Sequence, residues 1–305
     1  MVDRISTYTL ASQINTNNRS LQARVGETQI QVSSGLKSTD YKGIAFEADR
    51  LLNYEGEFSR LDSYNVNITI AENRLSYTYS VVDTILNRLV SFQTDLAAQT
   101  SAASGPNSDL AFDATHNQNY QDLLNLLSTQ QGGEYIFSGT TANVPPIDAT
   151  DPGFTAPFAI GGPANTSYYQ GNNETQNIPV SEGITVNVGV SANESGFEKA
   201  IRAFRLVIDN PANQAATLEA YDLVNQAIDE ITAIRSRVAS NNNTATQQKN
   251  LNAEESSFLK NAISGIRDID IAEATVRSTQ LSTLLEASYA VTVRLNKLTL
   301  ASFIR

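Results

Sequence analysis

Apolar residues recur with a seven-residue period along much of the chain. Leu61, Ile68, Leu75, Val82, Leu89 and Leu96 mark one seam, and Tyr64, Ala71, Thr78, Ile85 and Phe92 follow three places after its first five members. Tyr54 to Gln99 holds no proline and only one glycine, Gly56. This spacing predicts a single long helix with a coiled-coil face, roughly 60–70 Å at a rise of 1.5 Å per residue. A second seam runs through Leu251, Glu255, Phe258, Ala262, Gly265 and Ile269, and a shifted one through Leu281, Leu284, Ser288, Val291, Leu295, Leu298 and Ser302. The change of phase between them reads as a stutter within a continuing helix. Leu10, Ile14, Asn17, Leu21, Val25, Thr28 and Val32 give a weaker N-terminal version, diluted by Asn, Gln, Ser and Thr. Shorter helices are predicted through Tyr221, Val224, Ile228, Ile231, Arg235 and Val238, and through Phe197, Ile201, Phe204 and Ile208 after Gly196.

Between Gly139 and Gly196 the pattern changes, because six of the eight prolines fall there among many Gly, Thr and Asn residues. Ser167 to Gln170, Thr175 to Val180 and Ile184 to Val190 read as short strands joined by turns. The expected fold is therefore mainly α with a small inserted β-rich domain. The N- and C-terminal segments pair as long antiparallel coiled-coil helices, since their apolar stripes are otherwise uncovered. The expected segments are an N-terminal helix and loop at 1–45, a long helical arm at 46–138, a β-rich outward-facing insertion at 139–196, a returning arm at 197–265 and a C-terminal helix at 266–305.

Charge sharpens this division. No Lys or Arg lies between Arg88 and Lys199, whereas eleven acidic residues do, which equals the whole net charge of −11. An acidic middle is expected to face water, and near-neutral ends are expected to pack. So acidic a chain has no clustered basic surface for nucleic acid. It has no run of eighteen apolar residues to enter a membrane and no apolar leader at its N-terminus.

Candidate chemistry is sparse, for the chain has no cysteine, one histidine and one methionine. His116 lacks a second histidine or a thiol to share a metal, so it reads as a surface or capping residue. Ser34-Gly35-Leu36-Lys37-Ser38 has the wrong glycine spacing for a phosphate loop. Asp148-Ala149-Thr150-Asp151 has no acidic residue at the distance that a calcium loop requires and reads as a solvated turn. Nothing supplies a nucleophile together with a base, so no enzyme activity, metal or cofactor is expected.

The Arg4-Ile5-Ser6-Thr7 opening, Gln31 to Ser38 and Asp40, together with Ile266 to Glu273, Gln280-Leu281, Leu284-Leu285, Ala287-Ser288 and Leu295-Asn296, resemble the two ends of the flagellins and hook-associated proteins. Gly133-Glu134-Tyr135-Ile136-Phe137-Ser138-Gly139-Thr140 and Tyr168-Tyr169-Gln170-Gly171 are similar to the hook-associated protein 3 branch, whereas the Ser302-Phe303-Ile304-Arg305 end is more like some filament flagellins. The resemblance implies a structural subunit of the bacterial flagellum, secreted through the flagellar export apparatus with an export chaperone. It implies a helical homo-oligomer that also contacts other flagellar axial proteins. On that reading Ile5, Leu10, Ile14, Leu21, Leu281, Leu284, Val291, Leu295 and Leu298 form the assembly interface. A surface adhesin on the same frame would place a sugar site at Tyr168, Tyr169 and Asn172.

Overall fold

The structure, a computed structural model, describes the backbone of residues 2–101 and 106–301 and the side chains of residues 9–10, 12–100 and 114–294. The chain runs through α1 (Val2–Ser34), a 3-10 turn (Tyr41–Ile44), α2 (Ala48–Ser101) and α3 (Pro106–Leu127). It continues through the hairpin β1 (Gln130–Gln131) and β2 (Glu134–Tyr135), the single-turn α4 (Pro152–Thr155) and the hairpin β3 (Asn177–Ser181) and β4 (Ile184–Asn187). The helices α5 (Ser195–Asp209), α6 (Gln214–Arg267) and α7 (Ile271–Ala301) complete it. The expectation of a mainly α chain with a small β insertion holds. The fold divides into two compact units, one spanning Leu61–Glu254 and the other built from residues up to Arg60 and from Glu255 onward.

In the Leu61–Glu254 unit the long seam is the core. Leu61, Ile68, Leu75, Val82, Leu89 and Leu96 are all buried, as are Ala71, Thr78, Ile85 and Phe92. The partner is α6, antiparallel to α2, with its register fixed by Gln93 donating to Asn225, by Arg235–Asp83 at 2.6 Å and by Lys249–Glu72 at 2.7 Å. Buried Leu123, Leu124 and Leu127 of α3 and Phe197, Ile201 and Phe204 of α5 close the remaining sides. The rings of Phe92 and Phe204 stack with centroids 3.9 Å apart and planes 9° apart. A glycine at 196 is what lets α5 begin against α6, because a Cβ there would meet Ile231 Cγ1 at 2.9 Å and Glu230 Cβ at 3.1 Å.

Helix α6 departs from the sequence reading in two ways. The two stripes predicted as separate helices belong to one helix, since the Asn-rich stretch at 241–243 contains neither proline nor glycine and continues it. The inward seam is Val224, Ile231, Val238, Ala245, Asn252, Leu259 and Ile266, an unbroken heptad, so Leu251 and Phe258 point outward. The polar member of that seam is bound rather than stranded: Asn252 Nδ2 donates to Val180 O at 3.3 Å and to Asn65 Oδ1 at 3.4 Å. Buried amides in such a position fix register at some cost in stability. The expected stutter is a helix end. α6 stops at Arg267 and α7 restarts at Ile271, where Asp270 Oδ1 accepts the backbone N–H of Ala272 at 2.9 Å and of Glu273 at 3.2 Å, satisfying donors that a helix start leaves free.

The insertion contains one strand pair near the predicted position, β3 with β4, with Ile178 opposite Val186. Ser167 to Gln170 is not a strand; Tyr169 makes only an isolated bridge to Ile147. Arginines on α5 hold the proline-rich loops. Arg205 donates to Phe154 O at 3.1 Å and to Ala156 O at 3.3 Å, with its guanidinium 4.9 Å from the centre of the Phe158 ring. Arg202 donates to Gly162 O at 3.0 Å. Tyr168 is buried and donates to Ala192 O at 3.0 Å, and Tyr169 donates to Asn172 O at 2.7 Å, so these residues build the insertion.

Two electrostatic expectations are corrected here. The acidic middle is partly neutralised, because flanking helices carry arginines to it: Asp122 pairs with Arg88 at 2.9 Å, Glu134 with Arg74 at 3.2 Å, Glu194 with Arg237 at 2.7 Å and Glu198 with Arg202 at 3.2 Å. His116 is not a surface residue. It is buried with its ring 4.7 Å from that of Phe92 at 64°, and burial pushes its pKa down to about 4, since an apolar site disfavours the cation.

Candidate assembly surfaces

In the unit formed by the two ends of the chain, α1 packs against α7. The inward positions of α1 are Ile14, Asn18, Leu21, Val25, Thr28 and Val32, and those of α7 are Ala274, Ser278, Leu281, Leu285, Ser288 and Thr292. Both sets alternate steps of four and three, the spacing of a coiled-coil seam. Half of these residues are polar or small, so the seam is held partly by hydrogen bonds. Asn18 Nδ2 donates to Thr292 Oγ1 at 3.1 Å, Asn18 Oδ1 accepts from Ser288, and Gln22 donates to the Tyr289 hydroxyl. The inward asparagine is thus Asn18, one residue past the Asn17 of the sequence pattern.

The apolar residues left over lie outside the seam. Ile30 of α1 and Ile271, Val276, Leu284, Val291 and Val293 of α7 are exposed, with Leu284 at 57% and Val291 at 49%. Val276, Leu284 and Val291 share one side of α7, and an apolar stripe left exposed in this way marks a place where another molecule packs. The sequence-predicted interface therefore divides. Ile14, Leu21 and Leu281, the last only 7% exposed, turn toward the partner helix of their own chain. Leu10, Leu284 and Val291 face out, while the side chains of Ile5, Leu295 and Leu298 lie outside those described.

The Ser34 to Ser38 stretch has a structural task. Gly35 takes φ +71°, and its N–H donates to Gln31 O at 2.9 Å, the left-handed stop that glycine adopts without strain. Lys37 N then donates to Arg267 O at 2.7 Å and Ile269 N to Gly35 O at 3.0 Å, while Lys37 Nζ reaches Gly265 O at 2.7 Å. The 3-10 turn that follows is fixed by Asp40, whose Oδ1 accepts from Gly43 N at 3.0 Å. It is also held by Tyr41, whose hydroxyl donates to Glu55 Oε2 at 2.8 Å. Glu55 also pairs with Arg267 at 2.9 Å, and its hydrogen bond to Tyr41 raises the phenol above its ordinary pKa. Beside this lattice lies an open hollow of about 440 Å³, lined by Leu36, Phe58, Lys260, Ile263, Arg267 and Asp268.

These features present surfaces to a partner. Among the described residues no group of three or more His, Asp or Glu side chains is placed to hold a metal ion, and no helix is long and apolar enough to cross a membrane. Residues 5–142 match the bacterial flagellin N-terminal helical region, and residues 221–304 match the bacterial flagellin C-terminal helical region.

The chain belongs to the bacterial flagellin family. Membership makes it a structural, axial subunit of the flagellum, an extracellular organelle in which it assembles with other flagellar components. No curated protein matches this flagellin-family chain in sequence. Its fold is similar to that of a putative flagellar hook-associated protein from Vibrio parahaemolyticus, at 16% identity and TM-score 0.60, over 75% of this chain and 99% of that one. It is likewise similar to FlgL of Bacillus cereus, at 17% identity and TM-score 0.57, over 70% and 99% of the two chains. Flagellar hook associated protein-3 from Legionella pneumophila matches at 9% identity and TM-score 0.59, over 71% and 98%.

Proposed function

We propose that this chain joins hook to filament in the manner of hook-associated protein 3, assembling with copies of itself and with other axial subunits through the outer faces of its terminal helices. The observation that carries the assembly is the exposed apolar face of α7, Leu284 and Val291 foremost, on a helix whose inward face is already occupied by α1. The junction role is supported by the fold likeness to hook-associated proteins and by the Gly133 to Thr140 segment. There Ile136, Phe137 and Ser138 are buried at the exit from α3, and Ser138 donates to Val144 O at 2.7 Å. Export through the flagellar apparatus with a chaperone belongs to the same proposal, as does a purely structural role without catalysis. Localisation of the tagged full-length protein on intact cells tests it: a short band at the hook's end is expected. Label along the whole filament would instead establish the second reading, a filament flagellin, with which the matches to both bacterial flagellin terminal regions agree.

A further inference from the structure

The most exposed large apolar side chain described is Phe46, at 106%. It does not sit on a loose loop. It follows the 3-10 turn that Asp40 caps and Tyr41 fastens to Glu55, and Glu47 N donates back to Ile44 O at 2.9 Å just before α2 begins. An aromatic ring held out by an ordered turn buries nothing in its own chain. It has the form of an interface anchor, the residue type that carries most of the affinity when it enters a pocket. The same unit supplies such a pocket, the hollow walled by Leu36, Phe58 and Ile263 with Lys260, Arg267 and Asp268 among its lining. Its volume of about 440 Å³ is within the range of sites that enclose a small apolar group.

We propose that Phe46 of one copy seats in the Leu36–Phe58–Ile263 hollow of the next copy, a head-to-tail contact in which Lys42 approaches Asp268. The inference rests on the assembly reading above and names a contact within it. Phe46 is fully exposed, so it does not fill the hollow of its own chain. Lys42 and Asp268 are both exposed and opposite in charge, which suits the turn bearing the ring to the acidic side of the hollow. A knob and a hole on different patches of one chain make a heterologous contact, which propagates from copy to copy as an axial array requires instead of closing a two-fold dimer.

The absence of cysteine from the chain makes the test direct. Ala45→Cys, exposed beside the retained Phe46 ring, and Ser264→Cys, which lines the hollow, are placed in separate full-length copies carrying different affinity tags. The copies are mixed, assembled and oxidised. Heterodimers that form only on mixing, and a ladder of higher oligomers from the doubly substituted chain, are expected. Phe46→Ala is expected to raise the concentration needed for assembly at least ~30-fold, the scale of a lost hot-spot anchor, with the monomer's thermal melting unchanged. Assemblies that form normally without heterodimers overturn this contact and leave the assembly reading standing. Internally cross-linked monomers from the doubly substituted chain overturn it too, by placing Phe46 in its own hollow. Failure of the unsubstituted chain to assemble with itself or on hook ends overturns the assembly reading and this contact with it.

Discussion

His116 makes the Leu61–Glu254 unit sensitive to acid, in a window set by its burial. The imidazole lies edge-on to Phe92, and burial holds its pKa at about 4, against an ordinary 6.5. Above pH 6.5 the ring is neutral in both the folded and unfolded chain and contributes no pH dependence. Below it the unfolded chain takes up a proton that the folded chain refuses until about pH 4, so stability falls through that interval. One pKa unit is worth about 1.4 kcal/mol. Between pH 7 and pH 5 the two titration curves therefore diverge enough to cost ~2 kcal/mol, and by pH 4 the loss reaches ~3 kcal/mol. The assay is urea unfolding of the full-length protein, followed by far-ultraviolet circular dichroism at pH 7 and pH 5. His116→Leu removes the titrating group from the same site. Its absolute stability changes with packing, but its loss between the two pH values should shrink by ~2 kcal/mol relative to wild type. Equal losses in the two proteins would refute the argument and assign the acid sensitivity to the carboxylates.

Three further substitutions probe how the frame is held. Arg205→Ala should destabilise by about 3 kcal/mol, since it leaves the Asp209 carboxylate with only the Phe158 N–H and no cation, and two loop carbonyls without their donor; hydrogen exchange in residues 152–163 should rise, and unchanged protection there would contradict it. Asn252→Ala should cost about 1–3 kcal/mol by stranding the Val180 carbonyl, and loss of exchange protection in the β3–β4 hairpin is its signature. Gly196→Val drives a side chain into Ile231 and Glu230 and should lower stability by about 1–3 kcal/mol, measured by thermal melting.

The α2 seam was legible in the sequence, because every heptad position except Thr78 carries an apolar or aromatic residue and no breaker interrupts it, whereas the buried Arg74 beside it was not. The α6 seam was not. Its inward position at 252 is an asparagine, and apolar Leu251 and Phe258 beside it drew the pattern one residue out of phase; only the contacts of Asn252 with Val180 and Asn65 reveal why a polar side chain is inside. The same substitution of hydrogen bonding for apolar packing hid Asn18 in α1. Strands of two residues, as in β1 and β2, are shorter than any alternating pattern can register. The pairing of acids in the middle with Arg74, Arg88 and Arg237 depends on helices that meet only in the folded chain. For α7 the apolar spacing marked a helix but not its faces, since Leu281 and Leu284 differ by less than a turn and only packing separates the buried one from the exposed one.

That separation gives the most direct test of the central claim, that the outer face of α7 carries assembly while its inner face holds α1. Leu281→Asp and Leu284→Asp are compared for polymer formation, by sedimentation and electron microscopy, and for thermal melting of the monomer. A carboxylate at exposed Leu284 costs the monomer little, whereas buried in an interface between copies it costs several kcal/mol. Leu284→Asp should therefore abolish assembly with a monomer melting curve matching wild type, and Leu281→Asp should loosen the terminal helices in the monomer itself. Normal polymers from Leu284→Asp, or a monomer destabilised as much as by Leu281→Asp, would contradict the account.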